Sequence, residues 1–294
     1  MANMKEIRTR IKSIDDIMKI TNAMYLISSS KVKKAHKSLE ATSPYFNKMQ
    51  ETVLDILVHC GDEFSHKYFG ERPGISNEEH KKGYVVITGD KGLCGAYNHN
   101  VIKMTEQILQ KQDNSKLYVV GSVGRKHFKK RKYNVEHDFL YAASDPTFYR
   151  ARSIAEELLE AYEQGELDEV YVIYTKMVTS MSAEPRLIPV LPLRRIDIEN
   201  RVQGEYQSYA VFSPTPEDVL DSIVPNYVKG IVYGAMVQSF CSEQNARMMA
   251  MQSATDSADE IIKELSLSYN RARQGAITQE ITEIVSGANS LKNR

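Results

Sequence analysis

The chain has 294 residues, of which 42% are hydrophobic and 26% charged, and its 38 Lys+Arg balance 38 Asp+Glu. That composition belongs to a folded globular chain, and zero net charge excludes a polycation that coats nucleic acid. Cys60, Cys94 and Cys241 form no CxxC pair or disulfide framework, no run of about 18 apolar residues offers a membrane span, and MANMKEIRTRIKSIDD lacks a signal-peptide core.

The neutral total hides a polarised distribution. Residues 1–48 hold ten Lys/Arg against four Asp/Glu, whereas residues 214–294 hold seven against ten. In the first stretch, Ile7, Ile11, Ile14, Met18, Thr21, Tyr25, Ser28, Val32, Ala35 and Leu39 follow alternating steps of four and three, a sustained heptad seam. One set of seam positions shrinks along the chain (Ile7, Ile14, Thr21, Ser28, Ala35), while the other stays bulky. A partner helix can therefore approach closely on one edge. Ile17, Ile20, Met24 and Ile27 widen the apolar face beyond a two-helix seam, which predicts a second contact on this element. Pro44 should kink or end the helix. The pattern resumes after it and stops at Gly61, so within the N-terminal segment 1–58 one bent element from about residue 4 to residue 58 would be roughly 80 Å long at 1.5 Å per residue.

A linker over 59–82 leads into a different rhythm. GYVVITGD, LYVVGS, EVYVIYTKM and RLIPVLPL read as strands, and PTFYRARSIAEELLEAYEQGELD reads as an amphipathic helix ending at Gly165. Alternating strands and helices over 83–200 predict a Rossmann-like α/β domain with a mainly parallel sheet. A second linker, 201–214, precedes Thr215-Pro216-x-Asp218, a helix start. Pro225 should interrupt that helix after a short first piece. Beyond it Met248, Met251, Thr255, Ala258, Ile262, Leu265, Tyr269, Ala272 and Ala276 keep the four-three spacing, and the period then shifts to Ile277, Ile281, Ile284 and Ala288, a stutter. Neither terminal helix, 1–58 or 215–294, can bury its apolar stripe alone. The simplest solution pairs them as an antiparallel coiled coil.

The candidate chemistry is sparse. GDKGLCGAYN lies between a strand and a helix, but its G-x-x-G-x-x-G spacing is neither a dinucleotide fingerprint nor a Walker A loop. His59, Cys60 and His66 fit no structural zinc spacing. KHFKKRK at 126–132 has the density of a nucleic-acid patch, but as one short run on a predicted surface helix it reads first as a solvated face. No Ser/His/Asp or Cys/His arrangement appears, so no catalytic, cofactor-binding or metal-binding residue is assigned. On residues alone, a mechanical part, a coiled-coil adaptor with an α/β binding head and a nucleotide-dependent enzyme using the Gly92 loop all remain open.

Three segments together resemble the gamma subunit of the F-type ATP synthase: IMKITNAMYLISSSKVKKA at 17–35, TGDKGLCGAYN at 88–98, and ARMMAMQSATDSADEIIKEL with YNRARQGAITQEITEIVSGA over 246–288. The resemblance implies a bacterial rotor subunit whose terminal helices turn inside a ring of three alpha and three beta subunits. It further implies that the α/β domain meets the epsilon subunit and the ring of membrane c subunits. On this likeness the chain couples ion flow to ATP synthesis, makes no bonds itself, needs no cofactor, binds no nucleic acid, and reaches the cytoplasmic face of the cell membrane only through the complex. The motifs carry over Met24 as the coupling methionine, Lys91 as a basic position near an acidic segment of beta, and Arg247, Arg273, Gln274, Thr278 and Glu280 as coupling or beta-contacting positions. Ile281, Ile284 and Val285 would lie in a hydrophobic bearing. Asn22, Gly89 and Ser28-Ser29 depart from the residues common in that family.

Overall fold

A computed structural model of the chain describes residues 4–60, 66–69, 80–110, 112, 114–179, 182–194 and 212–292. Most of the two sequence-predicted linkers lies outside the described residues. Two helices dominate: α1, Met4–Cys60, and the last helix, Pro216–Lys292. Between them, in chain order, come β1 (Lys82–Ile87), α2 (Tyr97–Leu109), β2 (Ser115–Val120), α3 (Ser122–Lys130), α4 (Phe148–Glu163), β3 (Glu169–Met177) and β4 (Ala183–Leu191), so the last helix is α5. The chain forms two compact units, one of residues 1–28 with 248–294 and one of residues 29–247.

In the first unit the start of α1 pairs with the end of α5 as an antiparallel coiled coil. Every predicted seam position from Ile7 to Ser28 is buried or half-buried, and so is every one from Met248 to Ala276. The small residues do what their size predicts: Ser28 is 1% exposed, and Ala258 on the opposite helix is also buried. Mid-seam, the Thr21 and Thr255 hydroxyls meet at 2.7 Å. Each also stands within reach of its own helix, at 3.0 Å from Met18 O and 2.9 Å from Met251 O respectively. No polar atom of that pair is orphaned.

In the second unit the rest of α1 packs on the first part of α5. Gly230 provides the closest approach, lying against the Phe46 ring, which also neighbours Tyr233 at 6.4 Å between centroids. The prolines do not break these helices. α1 runs through Pro44, and there Ser43 Oγ donates to Leu39 O at 2.8 Å while Thr42 Oγ1 donates to Ser38 O at 3.1 Å. These bonds occupy carbonyls beside the one that proline leaves without its N–H. The expected short helix ending at Pro225 is absent, because α5 continues through it. Leu220, Val224 and Val228, spaced by four, are fully buried on both sides of the proline, and that shared stripe holds the helix in one piece.

The sheet order is β2-β1-β3-β4, with β1 parallel to β2 and β3, and β4 antiparallel to β3 at one edge. Its inner strands are covered on both faces, which explains their continuous apolar runs. On β1, Tyr84 and Val86 join Val101, Leu117 and Phe128 in one layer. Val85 and Ile87 join Tyr118, Ile154 and Leu158 in the other. Helix α4 begins at Thr147, whose hydroxyl accepts from Arg150 N at 3.3 Å, and Gly165 stops the chain after it with φ of 76°. The carboxyl ends of β1 and β2 thus open together onto the loop carrying GDKGLCG.

Candidate functional site: a strand–helix loop and a helical face

The loop from Thr88 to Asn98 is fastened from within. Gly89 N donates to Asn98 Oδ1 at 2.7 Å, and Asn98 Nδ2 donates to Lys91 O at 3.3 Å. Asp90 accepts through Oδ1 from Ser122 N at 3.1 Å and through Oδ2 from Ser144 N at 2.8 Å. Gly95 and Leu93 both take left-handed conformations, at φ of 55° and 61°, which tightens the turn and leaves Leu93 exposed.

A buried ion pair on α5 closes the arrangement. Arg247 Nη2 donates to Glu243 Oε1 at 2.6 Å and to Gly92 O at 3.1 Å, with Arg247 8% and Glu243 4% exposed. Burial pushes the Glu243 carboxyl up, and the Arg247 guanidinium partly offsets that rise. Burial likewise raises the Cys94 thiol, which makes it an inert structural group. The guanidinium of Arg247 is therefore committed inside the unit. Lys91, by contrast, is exposed, and no ion pair holds its ammonium among the described residues.

This geometry does not build a phosphate cradle. Of the loop glycines only Gly95 takes a left-handed turn conformation, and Asn98 takes the Gly89 N–H. The residues that fasten the loop, Glu243, Asn98 and Asp90, were not singled out from the sequence. A signal existed in SEQNAR, a polar run inside an apolar helix whose Ser242, Glu243, Gln244, Asn245 and Arg247 are all buried.

The other predicted positions lie on the helical pair of the first unit. Met24 is half-buried at its edge, and Ile17, Ile20 and Ile27 are exposed beside it. The widened apolar face is thus left open by the partner helix. Tyr25 stands level with Met248, Met249 and Gln252. Arg273 and Gln274 lie roughly 30 Å further along α5 at 1.5 Å per residue, so the structure does not bring them to Met24. Both are exposed, as is Glu280, and Thr278 Oγ1 donates to Gln274 O at 2.9 Å. From Ile277 to Asn289 every residue is exposed, including Ile281, Val285 and Ile284, the last at 71%.

The remaining sequence candidates resolve simply. Phe128, the aromatic within KHFKKRK, is fully buried in the sheet-packing layer, and His127 and Arg131 both reach Glu106 Oε1, at 2.9 and 2.8 Å. The side chains of His59 and Cys60 lie outside the described residues. His66 pairs with Asp221 at 3.4 Å, and burial lowers its pKa. Among the described residues no three His, Cys, Asp or Glu side chains come together to hold a metal ion.

The chain matches the family described as ATP synthase over residues 3–291. It is 46% identical over 294 residues to the ATP synthase gamma chain of Ruminiclostridium cellulolyticum, covering 99% of both. The chain belongs to the ATP synthase gamma-chain family. It is also 47% identical to the gamma chain of Acetivibrio thermocellus, over 99% of this chain and 100% of that one. A gamma chain of Acetobacterium woodii described as sodium ion specific is 38% identical over 98% of this chain and 99% of its own length. A chain from the Euglena gracilis mitochondrial ATP synthase (OSCP/F1/c-ring, rotational state 3) shares the fold, with a TM-score of 0.66 at 14% identity over 98% of this chain and 94% of that one. The resemblance carried by the three motifs therefore extends along the whole chain.

Proposed function

We propose that this gamma chain is the central rotor shaft of an F-type ATP synthase in a bacterial cell membrane. It turns inside a ring of three alpha and three beta subunits and makes no bonds itself. The observation that carries this reading is the helical pair of the first unit, which leaves Ile17, Ile20 and Ile27 exposed on one side of α1 and bare aliphatic residues beyond Ala276. Such a face costs free energy in water and gains it against apolar partners. Because the face is one-sided, it meets only one of three equivalent partners at a time. A rigid one-sided element biases whichever bistable partner it touches, and turning it cycles the three through their states.

The α/β unit supplies the other end of the coupling. Its loop presents Lys91 as an exposed cation on a frame braced by Asp90, Asn98 and Arg247, a fit for an acidic segment of beta. No described helix is long and apolar enough to cross a membrane. We therefore assign membrane contact to the epsilon subunit and the ring of c subunits, on the cytoplasmic face. The test is co-expression with the alpha and beta chains of one ATP synthase. Recovery of a complex with three alpha, three beta and one copy of this chain is expected. A stable complex with a single different protein, and none with the ring, would refute the rotor in favour of an adaptor.

A further inference from the structure

In the second unit a groove of about 420 Å³ opens between α1, the β3–β4 edge of the sheet and α5. That is within the ~300–1,000 Å³ of small-molecule sites. Three independent features of its lining ask for the same thing. Gln50 on α1 has its side-chain nitrogen buried without a hydrogen-bond partner, and an unmade bond of that kind is costly. Lys176, at the end of β3, is exposed at the mouth, with no ion pair to its ammonium among the described residues. Gly234 on α5 faces open space: a Cβ there would meet nothing within 4 Å, although a glycine inside a helix is unfavourable.

We propose that this groove binds a free amphipathic carboxylate, an aliphatic monoacid whose chain lies along Gly234. The charge argues for a monoanion. Glu184 sits opposite Lys176 in the β3–β4 register and is taken by Arg186 at 3.2 Å, so the three together leave one positive charge. The carboxylate accepts from Lys176 and from the Gln50 amide. Phe46, Ile188 and Ile231, which line the same groove, surround the hydrocarbon. The missing side chain at position 234 is the room the chain needs. This site is separate from the loop and helical face assigned to rotor coupling.

The experiment is calorimetric titration of the full chain with decanoate, octanoate and decanol. Decanoate should bind saturably, one to one. Octanoate, two methylenes shorter, should bind roughly fifteenfold more weakly, since each buried methylene is worth about fourfold. Decanol to the wild type, and decanoate to Lys176→Gln, should each be about tenfold weaker through loss of the charge-assisted contact. Gly234→Leu should abolish binding while melting no lower than wild type, because its side chain enters space that no neighbour claims. Absence of saturation, or equal decanoate affinity in wild type and Gly234→Leu, would overturn the proposal. So would failure of decanoate together with saturable, Gly234-dependent binding of an acidic leucine-containing peptide, which would make the groove a protein interface.

Discussion

Two glycines four residues apart on α5 should respond to alanine in opposite ways. Either change removes the helix penalty of glycine, worth about 1 kcal/mol. At Gly234 nothing stands within 4 Å of the added methyl group, so most of that gain should appear as stability. At Gly230 the methyl group would run into the Phe46 ring. That ring is held by Tyr45, Phe148 and Tyr233 at centroid distances of 5.5, 6.1 and 6.4 Å, so turning away from the methyl group gives up aromatic contacts. Overpacking of a fixed neighbour costs about 1–3 kcal/mol. Set against the helix gain, Gly230→Ala should be neutral to about 2 kcal/mol destabilising, and the two variants should differ by about 1–3 kcal/mol. Thermal and urea unfolding of the full chain, followed by far-UV circular dichroism, would read this as a gap of several degrees in Tm. The double variant Phe46→Ala/Gly230→Ala should recover part of the clash, giving a non-additive cycle. A Gly230→Ala chain as stable as Gly234→Ala would refute the close packing of α1 on α5 at this level.

Arg247→Ala leaves Glu243 buried without its cation and Gly92 O without a donor, so a loss of about 3–5 kcal/mol is expected in urea unfolding. Because burial already holds the Glu243 carboxyl high, the folded variant takes up a proton more readily than the unfolded chain. Its deficit should shrink as pH falls toward the ordinary carboxylate range, and a pH-independent deficit would contradict the assignment. Glu169 has the opposite sign: burial alone would raise it, but bonds from Tyr171 and His80 and the charges of Lys82 and Arg194 bring its pKa below the ordinary value. Its contribution is present above pH about 4.5 and lost as pH falls further, so Glu169→Gln should flatten the acid limb of the stability curve. Ile281→Ser/Ile284→Ser should change the stability of the free chain by less than about 0.5 kcal/mol, because both side chains are already in water. The same pair should weaken binding to an alpha/beta ring, measured by co-purification. Met24→Lys places a charge on the open face, and it should lower the ions moved per ATP hydrolysed in reconstituted vesicles while leaving assembly largely intact.

The coiled coil was legible because heptad spacing survives in the sequence whatever else surrounds it, and every seam residue from Ile7 to Ser28 went where the spacing placed it. Helix α4 was equally readable, since Thr147 and Gly165 act locally. Pro225 was misread for the converse reason. Its effect depends on Leu220 and Val228 being buried on both sides, and burial of that kind is decided by distant partners. The bracing of the loop was hidden by the same limit. Glu243 and Arg247, four apart on a helix, read as an ordinary exposed pair until the Gly92 loop is laid over them. Likewise the glycine-rich GDKGLCG stretch invites comparison with a phosphate grip, and only the Asn98 side chain shows that the Gly89 N–H has other work.

The meeting of Thr21 with Thr255 bears on how such a pair of helices carries load. A seam of aliphatic residues alone repeats every seven positions, and sliding one helix by a heptad, about 10.5 Å at 1.5 Å per residue, would return much the same packing. The two hydroxyls lessen that degeneracy, because a slip by one heptad sets Thr21 opposite Met248 or Ile262 and gives up the bond between the two side chains. They act as a key in a keyway. Twist applied at one end is then delivered at the other with the helices still in step, and a seam that is chemically unremarkable elsewhere holds its phase at a single point.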